Sequence, residues 1–347
     1  MKQFIKVTTT VFFVMVLTIT TSSYTRVLAR TKVESPTIYD KNLSNYEYPF
    51  VVKKYKFYSQ GKSLEKAYMY LMPNKPEMGI VTLLHGKNFN GAYWKETAIF
   101  LHSMGYGVLI PDQIGFGKSA KPTNYQYSFE ALAHNTRKLL RLLNIQKTMI
   151  VGHSMGGMLA ARFALLYPSI TSHLILLNPI GLENYLLYSE YKDIDFFYKK
   201  ELKLTAKDVK EYQRTNYYNG KWNNKYEELI APLVGLINGP DWEQLAQIRA
   251  RTYDMIFTGT VIEEFKNLEM PVTIILGIRD RTGPGRGWMK QGIKYELGRY
   301  DKLGVKIKQS NTNVKVVELN DIGHMPHVED FDRFSKVLKV ELDKITE

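Results

Sequence analysis

Thr148-Met149-Ile150-Val151-Gly152-His153-Ser154-Met155-Gly156-Gly157 decides the fold. The first four residues form a short apolar run without alternation, the pattern of a strand buried on both faces. A Gly-x-Ser-x-Gly turn follows, and then a helix-like segment running to Tyr167. A serine on so tight a strand-to-helix turn is forced into strained backbone geometry, small flanking glycines relieve the clashes, and the hydroxyl projects above the carboxyl edge of the sheet. An incidental serine in a Gly-rich turn does not account for strand, turn and helix arriving in that order, so Ser154 is the predicted nucleophile.

Outward from this point the same rhythm repeats. Gly79–Leu84, Gly107–Ile110 and His173–Leu177 are further continuous apolar runs, as are Val272–Leu276 and Val314–Val317 after a long interruption. Helix-length amphipathic segments separate them, and strand alternating with helix predicts an α/β protein with a mostly parallel sheet covered on both sides. Alternating segments at Tyr48–Tyr58 and Leu64–Leu71 predict an opening antiparallel pair. The interruption, residues 181–270, is helical and aromatic-rich, with Tyr185, Tyr188, Phe196, Phe197, Tyr217, Tyr218 and Trp222; it is the predicted cap. It divides the core into residues 30–180 and 271–347, the second part ending in a helix with Phe331, Phe334, Leu338, Leu342 and Ile345 at helical spacing.

A serine hydroxyl attacks a carbonyl only if a base takes its proton, so a histidine oriented by a carboxylate is required. His324, in Asp321-Ile322-Gly323-His324-Met325-Pro326, follows the last apolar run and is the predicted base. Asp280, three residues after Gly277, is the predicted acid. His327, past Pro326, suits packing or capping better. His153 is expected to turn its side chain away from the site, and His85 to bond within its own loop. Glu183 follows the Asn178-Pro179 strand end and competes with Asp280 for the acid role, whereas Asn178 carries no charge.

Attack on a carbonyl builds an oxyanion, which needs donors held in place beforehand. The backbone N–H of Met155 and that of Lys87, in the turn His85-Gly86-Lys87-Asn88-Phe89, are the candidates. Asn88 and Phe89 in that turn, with Tyr185 at the head of the cap, are the candidate substrate contacts.

Together these segments resemble the α/β-hydrolase superfamily over nearly the whole chain from Tyr48 onward. The resemblance implies an eight-stranded, mostly parallel sheet flanked by helices with an inserted helical cap, and the chain order Ser, Asp, His is the one that fold uses. Pro111-Asp112-Gln113-Ile114-Gly115-Phe116-Gly117 looks like the superfamily's turn after the fourth strand, where Asp112 is structural. The cap resembles those of esterases, carbon–carbon bond hydrolases of ring-cleavage products and proline-iminopeptidase-like enzymes. Haloalkane dehalogenases and epoxide hydrolases place Asp where this chain has Ser154, and Gly152–Gly156 departs from the Gly-Gly-Ser-Trp-Gly of proline iminopeptidases. The implied activity is hydrolysis of a carboxylic ester, thioester or lactone of a small or medium hydrophobic substrate. Carbon–carbon hydrolysis, acyl transfer and a weakly catalytic binding protein stand as alternatives.

Composition sets the remaining bounds. With no cysteine the chain has no disulfide, thiolate nucleophile or Cys-based metal site. It has no His-Glu-x-x-His, no P-loop and no dinucleotide fingerprint, so no metal or cofactor is expected. Lys2 and Lys6 precede an apolar run to about Ile19, and Val27-Leu28-Ala29 is a small-residue site; residues 1–29 are a predicted signal peptide, with an uncleaved anchor as the alternative. Export to the periplasm or medium is the expectation. Removing Lys2, Lys6 and Arg26 takes the net charge from +13 to +10. Those charges are scattered and accompany no nucleic-acid motif, so the expected partner is a small-molecule substrate, with weak affinity for an anionic membrane surface and no nucleic acid. Oligomeric state is not legible.

Overall fold

The computed structural model describes residues 37–310 and 314–346, so the expected signal segment, residues 1–29, lies outside them. Its first two strands, β1 (Val52–Ser59) and β2 (Lys62–Leu71), form an antiparallel hairpin. Gln60 and Gly61 both take positive φ, 52° and 70°, the turn whose twist matches that of the flanking strands. The apolar runs form β3 (Ile80–Leu84), β4 (Gly107–Pro111), β5 (Thr148–His153), β6 (Thr171–Leu177), β7 (Val272–Gly277) and β8 (Val314–Leu319). The eight strands lie in the order β1-β2-β4-β3-β5-β6-β7-β8, with β2 antiparallel to both neighbours and β3 to β8 mutually parallel.

The buried strands lack a polar face because each face has its own helical cover. Ile150, Leu174, Leu176, Ile274 and Leu276 pack toward α2 (Phe129–Leu142), α3 (Met155–Leu166) and α9 (Tyr300–Ser310). Val151, Ile175, Leu177 and Ile275 pack on the other side against α1 (Lys95–Ser103) and α10 (Phe331–Thr346), where Phe334, Leu338 and Leu342 are fully buried as their spacing requires. The chain runs from β3 out to β4 and returns to β5 on the far side of β3. The crevice left where strand order reverses, at the carboxyl ends of β3 and β5, is where such sheets bind ligands.

Between β6 and β7 the chain forms α4 (Tyr185–Tyr188), α5 (Ile194–Leu202), α6 (Ala206–Asn216), α7 (Asn224–Ile237) and α8 (Trp242–Thr258). A reciprocal capping box of Thr205 with Asp208 starts α6. Most rings of this excursion pack on one another: Phe197 stacks on Tyr253 at 5.0 Å and Tyr218 on Tyr226 at 3.7 Å between centroids. Among the described residues, no helix is long and apolar enough to cross a membrane.

Candidate active site

Ser154 sits between the end of β5 and the start of α3 with φ 57° and ψ −122°, a conformation a non-glycine residue holds only at a cost of about 1–3 kcal/mol. The turn is held by its own backbone: Ser154 N–H donates to Leu177 O (3.1 Å), and Ser154 O accepts from Gly157 N (2.9 Å) and Ile180 N (3.2 Å). The flanking glycines are sterically required. A Cβ at Gly152 would stand 2.2 Å from Gly156 O, and one at Gly156 would stand 2.2 Å from Leu84 O.

Asp280 and His324 are brought together. His324 Nδ1 donates to Asp280 Oδ2 at 2.6 Å, and both side chains are fully buried. The other carboxylate oxygen accepts Thr282 N–H at 2.7 Å, so neither oxygen is idle. With its proton on Nδ1, the ring presents the Nε2 lone pair, and that nitrogen makes no hydrogen bond among the described residues. It forms none with Ser154. Gly86, at the mouth of β3, would place a Cβ 3.2 Å from Ser154 Cβ, so the 85–89 turn lies against the serine.

Met155 opens α3, and its N–H is among the four at a helix start that lack an intrahelical partner. The N–H of Lys87 likewise engages no partner among the described residues. Met155 N–H additionally has the positive end of a helix behind it.

The histidines divide as follows. His85 Nε2 accepts Gln113 N–H at 3.0 Å and its Nδ1 faces Gly86 O at 2.9 Å, a bridge between two loops. His153 does more than turn away. Its Nε2 donates to His324 O at 2.8 Å, and its Nδ1 accepts from the Tyr93 hydroxyl at 3.0 Å, which in turn accepts Gly86 N–H at 3.1 Å. His327 stacks on Trp94 at 4.6 Å, and burial pushes its pKa down to about 3. Glu183 Oε2 accepts Gly298 N–H at 2.9 Å and is no partner of His324. Asp112 accepts Gly91 N–H, Lys118 N–H and the Tyr48 hydroxyl, each at 2.7 Å, as a structural residue does.

Two residues that sequence reasoning passed over hold the pair in place. Asn178, at φ 36° after β6, donates to Asp280 Oδ2 (3.0 Å) and to Gly277 O (3.1 Å), and accepts Gly277 N–H (2.8 Å). Glu329 accepts Gly323 N–H (2.9 Å) and Met325 N–H (3.4 Å) on either side of His324, and is itself paired with Arg279. The signal for Asn178 was its place at a strand end; Glu329 lies beyond the motif and gave none.

Above the pair lies the helical excursion. The Tyr217 ring stands 4.3 Å from that of His324, and Asn88 Nδ2 reaches the Tyr217 hydroxyl at 3.4 Å. A Cβ at Gly323 would meet Tyr217 O at 1.8 Å, which is why glycine precedes the histidine. Lys87, Asn88 and Phe89 line a cavity of about 330 Å³ with Tyr93, Arg249 and His327; Ser154 and His324 do not line it. Tyr185 does not line it either. That ring is buried against Phe257 and its hydroxyl accepts Gly181 N–H at 2.7 Å.

The family described as alpha/beta hydrolase fold matches residues 79–271. The crystal structure of a probable hydrolytic enzyme from Pseudomonas aeruginosa PAO1 is similar at 38% identity with a TM-score of 0.85, covering 88% of this chain and 98% of that one. Lipase 1 of Psychrobacter immobilis is 28% identical over 272 residues, 72% of each chain. A protein of Mycobacterium bovis is 38% identical over 101 residues, and that match spans 29% of its length.

Proposed function

Because the chain belongs to the alpha/beta hydrolase fold family, we propose that it is a serine hydrolase cleaving an ester-like bond through Ser154, His324 and Asp280. The observation that carries this reading is the buried His324–Asp280 bond of 2.6 Å, which leaves Nε2 without a hydrogen bond among the described residues, while Ser154 occupies the strained turn whose neighbour His153 bonds the His324 carbonyl.

In the proposed reaction Ser154 Oγ attacks the carbonyl carbon while its proton passes to His324 Nε2, and Asp280 stabilises the imidazolium that forms. The oxyanion is received by the N–H groups of Lys87 and Met155; losing one such donor typically costs about 100- to 1000-fold in turnover. The imidazolium then protonates the leaving group, and the same nitrogen takes a proton from the water that hydrolyses the acyl-enzyme. The similarity to Lipase 1, together with an aromatic excursion over the site, supports a carboxylic ester, thioester or lactone with an apolar acyl chain.

Labelling with a fluorophosphonate probe tests this directly. Wild-type protein is expected to take up one probe per chain at Ser154, and Ser154→Ala to take up none. Equal labelling of the two proteins, or no labelling of folded wild type together with no hydrolysis of a p-nitrophenyl ester series, would overturn the reading.

A further inference from the structure

Lys87 supplies more than a backbone amide. Its side chain runs into a buried place, 7% exposed, where Nζ stands 3.7 Å from Glu201 Oε1 and 3.9 Å from the centroid of Tyr253. That nitrogen makes no hydrogen bond among the described residues. Glu201 is committed elsewhere, since its Oε2 accepts Arg249 Nε at 2.7 Å. Arg249 Nη2 reaches Asn88 Oδ1 at 3.3 Å, and no hydrogen bond of the described residues engages Nη1. Two cations thus share one carboxylate in a place from which water is largely excluded.

The electrostatics of the three groups show Glu201 as the counter-charge that Lys87 and Arg249 share. Burial, and after it the charge of Arg249, pushes the Lys87 amine well below the usual lysine range. Burial alone would raise Glu201, yet Arg249 and Lys87 hold its carboxyl below the ordinary value. If the cluster served only to fasten the 85–89 turn to the excursion, the Arg249–Glu201 pair with its bond to Asn88 would suffice. Lys87 adds a second buried cation whose counter-charge is the Glu201 carboxylate it shares with Arg249, at 3.7 Å and without a hydrogen bond, an arrangement that is costly unless a further anion joins it.

Lys87 and Arg249 both line the 330 Å³ cavity, whose other walls include Phe116, Leu229, Leu233 and Leu245. Lys121 lines it too, but its Nζ is already bonded to Gly117 O (2.5 Å) and Ser119 O (2.8 Å). Lys95, Glu96, Lys225 and Glu228 also line it, Lys225 paired with Glu96 at 3.2 Å, while Lys87 and Arg249 place two cations beside apolar walls where it meets the 85–89 turn. A carboxylate fits that end in charge and in shape, because a guanidinium and an ammonium present several N–H donors to its two oxygens.

We propose that Lys87 and Arg249 form a subsite for a carboxylate carried by the substrate, so that the preferred substrates are esters with a free carboxylate on a short apolar chain, such as half-esters of dicarboxylic acids. This deepens and rests on the serine-hydrolase reading, since the same Lys87 carries one of the two oxyanion donors. Lys87 and Arg249 are specificity residues in this scheme, and Glu201 positions them.

The test compares mono-p-nitrophenyl glutarate with p-nitrophenyl 5-methylhexanoate, in which an isopropyl group replaces the terminal carboxylate. Wild type is expected to favour the glutarate ester at least tenfold in kcat/KM. Lys87→Met, Arg249→Met and the double variant Glu201→Gln/Arg249→Met, which leaves no unpaired buried charge on Glu201, are each expected to reduce that ratio tenfold or more. A purely structural cluster would lower both rates together and leave the ratio unchanged. A wild-type ratio near one, or a ratio that survives all three variants, would overturn the subsite. Calorimetric titration of glutarate into Ser154→Ala, with and without Lys87→Met, stands apart from turnover: binding weakened tenfold by loss of the lysine supports the subsite, and absent or unaffected binding counts against it. Failure of every ester with intact glutarate binding would sink the hydrolase reading alone.

Discussion

His153 Nε2 donates a 2.8 Å hydrogen bond to the carbonyl of His324, a residue 171 positions away. The neighbour of the proposed nucleophile thereby holds the backbone of the proposed base. Through its other ring nitrogen and Tyr93 it also reaches the N–H of Gly86 in the oxyanion turn. The three segments of the proposed reaction are thus tied by one imidazole that never touches substrate. His153→Leu removes both bonds, and a displacement of order 1 Å at a reacting group costs about 100-fold. Steady-state kinetics are expected to show kcat reduced by one to two orders of magnitude with KM nearly unchanged; an unaltered kcat would show that the tie is dispensable.

Asn178 is buried and makes three hydrogen bonds, to both backbone groups of Gly277 and to Asp280. Asn178→Ala removes the acceptor of Gly277 N–H and one of the donors to Gly277 O and Asp280 Oδ2, at about 1–3 kcal/mol for a buried group left unsatisfied. Urea unfolding should show a loss in that range, with a fall in kcat beyond what the unfolded fraction explains, because Asp280 loses its lateral support.

Gly156→Ala places a methyl 2.2 Å from Leu84 O, against backbone that has nowhere to go. A destabilisation of about 3 kcal/mol or more, or failure to accumulate as folded protein, is expected. Gly287 offers the control, since a Cβ there meets nothing within 4 Å; Gly287→Ala should lie within about 0.5 kcal/mol of wild type by thermal melting.

Lys66 is fully buried with Nζ bonded to Gln113 Oε1 and Thr136 Oγ1, each at 3.0 Å, and burial lowers its pKa to about 7. From that value up to the ordinary 10.5, the unfolded chain binds a proton the folded chain lacks, so stability rises with pH across this window. Below it both states are protonated and the burial cost is borne in full. Lys66→Met is therefore expected to be more stable than wild type near pH 6.5, with an advantage that shrinks by up to about 1.4 kcal/mol per pH unit toward pH 10. Denaturant titrations of both proteins at the two pH values check this, and a constant difference would contradict the assignment.

The sheet was legible because a strand buried on both faces must be apolar throughout, and Ile150 and Val151 leave no other reading once each faces a separate helical layer. The placement of Ser154, Asp280 and His324 at one edge was legible for a related reason: each follows a strand whose carboxyl end the parallel topology brings there. Asn178, Glu329 and the bond from His153 were not, because their partners are backbone groups that composition does not mark. The packing of Tyr185 was not legible either, because a phenol ring reads the same in sequence whatever its hydroxyl meets, here the N–H of Gly181. The Lys87–Glu201–Arg249 cluster was hidden for another reason, its members coming from three places whose meeting depends on the packing of α5 against α8.

The bonds from Asn178 to Gly277 have a further consequence. They tie the residue that follows β6, where the long excursion departs, to the last residue of β7 at the same carboxyl edge, whereas the excursion re-enters the sheet at the opposite end of β7, at Val272. Asp280, just beyond Gly277, is thus moored to the neighbouring strand by bonds that owe nothing to how the excursion itself is packed.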